Sequence, residues 1–181
     1  HFDAGDPERD PARAFRLARA ASSAALERYD NDMALDFLGQ AERAAKRGLL
    51  PLDAGFFCEI GEAHLRVAAL DESLAAFEKA LERADKSHSR ARILGRLSWV
   101  YQVLAEPERA WAMLGSAFQA LGHQMPIEDA VSAATTTGHL LRLRLGRALG
   151  RPNHRPQDEV DLLCMLHYQN ARLSLERALD E

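Results

Sequence analysis

Apolar residues recur along this chain at helical spacing. Leu70, Leu74, Phe77, Leu81 and Ala84 stand three or four residues apart, and so, with one adjacent pair, do Ala110, Leu114, Ala117, Phe118 and Leu121; such spacing sets each group on one face of an α-helix. Polar turns separate these stretches, and all seven prolines lie at or near them. Asp6-Pro7 and Glu106-Pro107 place proline at a first helical position, and Asn31 and Asp71 stand where a side chain can cap. The pattern predicts eight helices, over residues 7–28, 32–47, 53–69, 72–86, 89–104, 107–122, 127–149 and 159–180. Composition points the same way. Alanine and leucine, 32 and 27 of 181 residues, favour helix, and valine, isoleucine and threonine, which cover pleated surfaces, total only eleven. A sheet, and with it the sheet-based nucleotide folds, is excluded, so the expected class is all-α.

The helical pattern also repeats. Ungapped segments starting at His1, Ala25, His64 and Tyr101 share one plan, a polar turn followed by a helix with small or apolar residues at fixed offsets. Their start-to-start spacings are 24, 39 and 37 residues. Ser73, Phe77 and Ala80 hold those offsets in one copy, and Ala110, Leu114 and Ala117 in the next. Ile60, Gly61 and His64 precede the first set, and Leu97, Ser98 and Tyr101 the second. In these residues the chain resembles a tetratricopeptide repeat, whose first helix carries a Leu-Gly pair and a Tyr, and whose second carries Ala, an aromatic and Ala. It departs from that motif at His64, Ser73 and Ser98, and the copy through Ala34, Leu38 and Ala41 is weak on its first helix. The resemblance implies a right-handed α-solenoid of antiparallel helix pairs. Repeats would cover residues 1–126, with the first truncated, and a further helical pair of the same solenoid would cover 127–181.

The 24-residue first spacing is too short for two helices, so one long helix is expected to close a truncated repeat and open the next. With no partner helix evident for the last one, the chain reads as a segment of a larger protein. The stretches from His1 through Ala45, around residues 121–126 and over 162–176 are similar to helical regions that follow AAA-type or STAND-type NTPase modules in large bacterial signalling proteins. Class III nucleotide cyclases, LuxR-type regulators and serine/threonine kinases are among these.

Charge and motifs narrow the chemistry. A net charge of −4 with 28% charged residues argues against disorder and against a chain drawn as a whole to nucleic acid. Apolar runs are too short to span a membrane. The only cysteines, Cys58 and Cys164, lack CxxC spacing, which points to a reducing, cytoplasmic compartment and to no zinc site. There is no GxxxxGK[ST], GxGxxG, HExxH or EF-hand spacing. No two of the seven histidines are paired at i, i+3 or i, i+4 on a helix. No catalytic, cofactor or metal site is therefore assigned, and any enzymatic activity is expected outside these residues.

The expected function is that of a non-catalytic interaction and coupling module. Its partner would be a protein, a peptide or a neighbouring domain of the same polypeptide. Groove positions of the tetratricopeptide motif, carried over one residue at a time, give Arg16, Arg19 and Ser23 in the first copy and Cys58, Glu62 and Arg66 in the second. Arg92, Trp99 and Gln102 follow in the third. The Lys and Asn of the dicarboxylate-clamp type are missing, which disfavours an acidic chaperone tail. Trp99 reads either as a partner anchor or as core. A second candidate surface is basic: residues 138–156 hold Arg142, Arg144, Arg147, Arg151 and Arg155 with no acid, leaving −9 on the rest of a chain whose net charge is −4. That leucine-rich stretch reads as a solvated or internally paired face, or alternatively as a surface for an acidic partner, anionic lipid or nucleic acid. Nucleic acid is disfavoured because the stretch has no aromatic residue for base stacking.

Overall fold

A computed structural model describes residues 10–126 and 157–180, together with Gly138. The described residues form seven α-helices and no strand. They are α1 Pro11–Glu27, α2 Asn31–Arg47, α3 Ala54–Arg66, α4 Leu70–Arg83, α5 Ser87–Val103, α6 Pro107–Ala120 and α7 Gln157–Asp180. The protein is all-α, as its composition requires. It divides into two compact units, His1–Arg83 and Ala84–Glu181. In the first, α1 packs on α2, α2 on α3 and α3 on α4; in the second, α5 packs on α6 and α7 on both. Apart from Gly138, the helix expected over 127–149 and the basic stretch with its five arginines lie outside the described residues.

Helix starts follow local chemistry, with two corrections to the sequence reading. Asp10, Asp30 and Asp53 accept from the backbone N–H of Arg13, Met33 and Phe56 at 2.9, 3.3 and 2.7 Å, and so satisfy donors that have no partner within the helix. Asp30 thus caps α2 and Asn31 is its first helical residue, because the carboxylate one residue earlier reaches the N3 amide. Asp71 lies inside the first turn of α4, where its negative charge faces the positive helix end. Pro107 opens α6 as expected, while Glu106 makes no cap bond and instead pairs with Arg109 at 2.9 Å. The long helix expected over 7–28 is seen from Pro11, ends at Glu27 and packs on α2 as the first member of a pair.

Inside the pairs, one set of buried positions recurs. Ser22, Gly61 and Ser98 are buried on the first helices. Facing second-helix positions hold Ala34, Ser73 and Ala110, then Leu38, Phe77 and Leu114, then Ala41, Ala80 and Ala117, all at 0–2% exposure. Small residues let the axes approach, and the larger side chain between them fills the seam. The fit is tightest in the second pair. A Cβ on Gly61 would fall 2.8–2.9 Å from three atoms of the Phe77 ring, and the Ser73 hydroxyl donates to the Gly61 carbonyl at 2.9 Å.

The turns between paired helices recur as well. Tyr29, Ala68 and Ala105 have φ of 61°, 58° and 57°, the left-handed conformation that usually falls to glycine past a helix end. At each, two nested backbone bonds close the helix: Asp30, Ala69 and Glu106 donate to Ala25, His64 and Tyr101 at 3.0, 3.0 and 2.9 Å. Tyr29, Ala68 and Ala105 donate to Leu26, Leu65 and Gln102 at 3.2, 3.2 and 3.1 Å.

Two matched pairs of substitutions test these devices by thermal or urea unfolding. Gly61→Ala is expected to lower stability by about 1–2 kcal/mol despite alanine's better helix propensity, because the buried ring has nowhere to move. Gly39→Ala, whose Cβ meets only the tip of Arg43 at 3.4 Å, should raise stability by up to about 1 kcal/mol. Ala105→Gly is expected to stabilise by up to about 1 kcal/mol through relief of the left-handed cost, and Gly122→Ala, at φ 73°, to destabilise by about 1 kcal/mol.

Candidate interaction surface

In the first unit, Arg19 is the expected groove position with the most partners from other helices. Its guanidinium binds Glu59 of α3 through two nitrogens, Nε to Oε2 at 2.8 Å and Nη2 to Oε1 at 2.7 Å, with Asp53 Oδ1 at 3.8 Å. The same group stands 5.8 Å from the ring centres of both Phe15 and Phe56, which are themselves 5.5 Å apart. The hydrogen-bonded Glu59 raises the Arg19 pKa above its ordinary value against the opposing effect of partial burial, and the charges of Glu59 and Asp53 add to the rise. Arg19 therefore ties α1 to α3 above a core cluster of Leu38, Ala41, Phe56 and Ala63. Arg66 makes a second tie, donating from α3 to the Leu26 carbonyl near the end of α1 at 2.8 Å.

The other expected positions in this unit are spread along α1 and α3. Arg16 is exposed, and Ser23 is exposed with its hydroxyl donating to the Arg19 carbonyl at 3.3 Å. Cys58 and Glu62 are half-buried. Arg16, Arg19 and Ser23 on one helix, and Cys58, Glu62 and Arg66 on another, thus belong to one unit. Glu59 was missed by the sequence reading, although its spacing from Arg19, close to one repeat, was available as a signal.

In the second unit, Arg92 is exposed and lies 3.3 Å from the His88 ring. Gln102 is half-buried and donates to the Ser98 hydroxyl at 3.4 Å. Trp99 is half-buried, neither wholly core nor open, because Arg172 of α7 lies 4.8 Å above its ring. Arg172 is held there by Glu176 at 2.7 Å. One turn earlier on α5, a Cβ at Gly95 would fall 2.9 Å from both Leu166 and Met165, and Gln169 donates to the Gly95 carbonyl at 3.2 Å.

The α7 contributors were also missed. Their signal was three polar residues, Gln169, Asn170 and Ser174, set in the stripe formed by Leu162, Leu163, Leu166 and Leu173; all seven are buried.

Among the described residues no group of three or more His, Cys, Asp or Glu side chains is placed to hold a metal ion, and no helix is long and apolar enough to cross a membrane. No family model, curated protein or solved structure matches the chain.

Glu59→Gln is expected to lower stability by about 1 kcal/mol, since the pair is partly solvated and Arg19 keeps its two rings. Urea unfolding at low and high salt checks this, with a smaller loss expected at high salt.

Proposed function

We propose that the chain is a non-catalytic protein-interaction and coupling module of the tetratricopeptide-like kind, a stack of antiparallel helix pairs. It belongs, on this reading, to a cytoplasmic, multidomain bacterial signalling protein. The supporting observation is the recurrence, at spacings of 39 and 37 residues, of the same four buried positions and the same left-handed turn. A repeat of this kind presents exposed side chains from successive first helices along one surface. In the first unit the exposed Arg16 and Arg66, and in the second the exposed Arg92 and half-buried Trp99, each suit a protein or peptide segment carrying acidic and apolar groups.

Photo-crosslinkers placed at positions 16, 66, 92 and 99 test the reading in cells. The expected result is crosslinking to one defined protein, lost in an Arg16→Glu, Arg92→Glu chain that still unfolds at the parent temperature. Absence of any specific crosslink from these positions would sink it. The run of five arginines over residues 142–155 supports a second reading, binding to nucleic acid or an anionic surface. A salt-sensitive DNA shift or vesicle association, abolished when Arg142, Arg144 and Arg147 become glutamine, would favour it instead.

A further inference from the structure

The face of α5 that holds Gly95 and Trp99 is already occupied, and its occupant is a helix of the same chain. Three contacts show a fitted seat for α7. Gly95 has no side chain where Leu166 and Met165 press in; its carbonyl, already part of α5, accepts from Gln169 at 3.2 Å; and Trp99 lies under Arg172. Nearby, Phe118 of α6 meets the edge of His167, with ring centres 5.0 Å apart.

The helix that fills this seat also carries buried polar groups of its own. Among the described residues, Asn170, at 1% exposure, finds no hydrogen-bond partner for either its amide nitrogen or its amide oxygen, and neither the Ser174 hydroxyl nor the Gln169 Oε1 atom has one. Polar groups taken from water without replacement partners weaken an interface whose apolar contacts are otherwise good. The four atoms just named lie on one helix, whereas among the buried residues of α6 there is no polar side chain.

We propose that α7 is a displaceable resident of this surface, and that the external partner taking its place is another amphipathic helix of the same pattern. Resting on the interaction-module reading, this names the partner's form. It carries leucines at the spacing of Leu162, Leu166 and Leu173, a glutamine or asparagine to meet the Gly95 carbonyl, and an arginine to cover Trp99. Helix-in-groove recognition of this kind is read as anchors three, four and seven residues apart. A partner helix with apolar residues at the positions of Asn170 and Ser174 outcompetes α7, because it loses the unsatisfied groups and keeps the fitted contacts.

Two measurements on the full chain test the proposal. Hydrogen exchange followed by mass spectrometry should show α7 opening at least about tenfold more often than α5 and α6, as expected of a locally weak element. Asn170→Leu should slow that opening by about tenfold or more without changing α6. A labelled peptide of residues 157–180 is the second probe. It should bind the Leu166→Asp chain, whose own α7 is displaced, at least about tenfold more tightly than the parent chain, and lose binding when Gly95→Leu is added.

Equal protection of α7 and α5 in the parent chain overturns the proposal. So does a peptide that binds no better to a Leu166→Asp chain whose α5 and α6 remain protected. If Leu166→Asp unfolds α5 and α6, the Asn170→Leu comparison decides alone. Failure here leaves the crosslinks from positions 16 and 66 untouched, so the loss of this inference is distinguishable from loss of the interaction reading.

Discussion

At the crossing of α3 and α4 there is a hydrogen atom where every other residue would place a Cβ carbon, and the Phe77 ring lies against it. That approach sets the distance between the two axes, brings the Ser73 hydroxyl onto the Gly61 carbonyl and leaves room for only small residues at Ala76 and Ala80. The other pairs meet the same constraint with serine in place of glycine and leucine in place of phenylalanine, keeping the volume in the seam roughly constant. A chain rich in alanine has modest apolar area per residue to bury. Close axes make up for this by bringing backbone and Cβ atoms into dispersion contact.

What joins one pair to the next is more varied. In the first unit, the tie is an arginine that is hydrogen-bonded on its edge and stacked near two rings, an arrangement open to arginine and closed to lysine, whose ammonium is a point donor without a planar face. In the second unit, α7 is held by a main-chain carbonyl, a missing side chain and a cation over an indole. These are specific contacts of small area, and they differ from the repeated seams in depending on single atoms.

The helical class, the boundaries to within a few residues and the seam positions were legible because each is written in local spacing. Leu38, Phe77 and Leu114 were found by offset alone. The caps were misread at Asn31 and Asp71 because several adjacent residues can cap, and the choice is fixed by backbone angles that spacing does not encode. The groove assignments could not show that Arg19 is engaged with Glu59, or that Trp99 lies under Arg172. Both partners come from other helices, 40 and 73 residues away in sequence, and pairing over such distances depends on how helices pack rather than on where residues stand along one of them.

The bond from Gln169 to the Gly95 carbonyl constrains how α7 moves. A shift of α7 by one turn along α5 would bring Met165, Leu166, Arg172 or Leu173 to the carbonyl in place of the Gln169 amide, and would set a side chain other than Arg172 over the indole. Of these only the arginine could donate to the carbonyl, and in neither direction does an arginine then cover the indole. Ratcheting between neighbouring registers, the motion by which many packed helices slide, therefore costs α7 at least one of its two anchors, and the register it occupies is the one that keeps both.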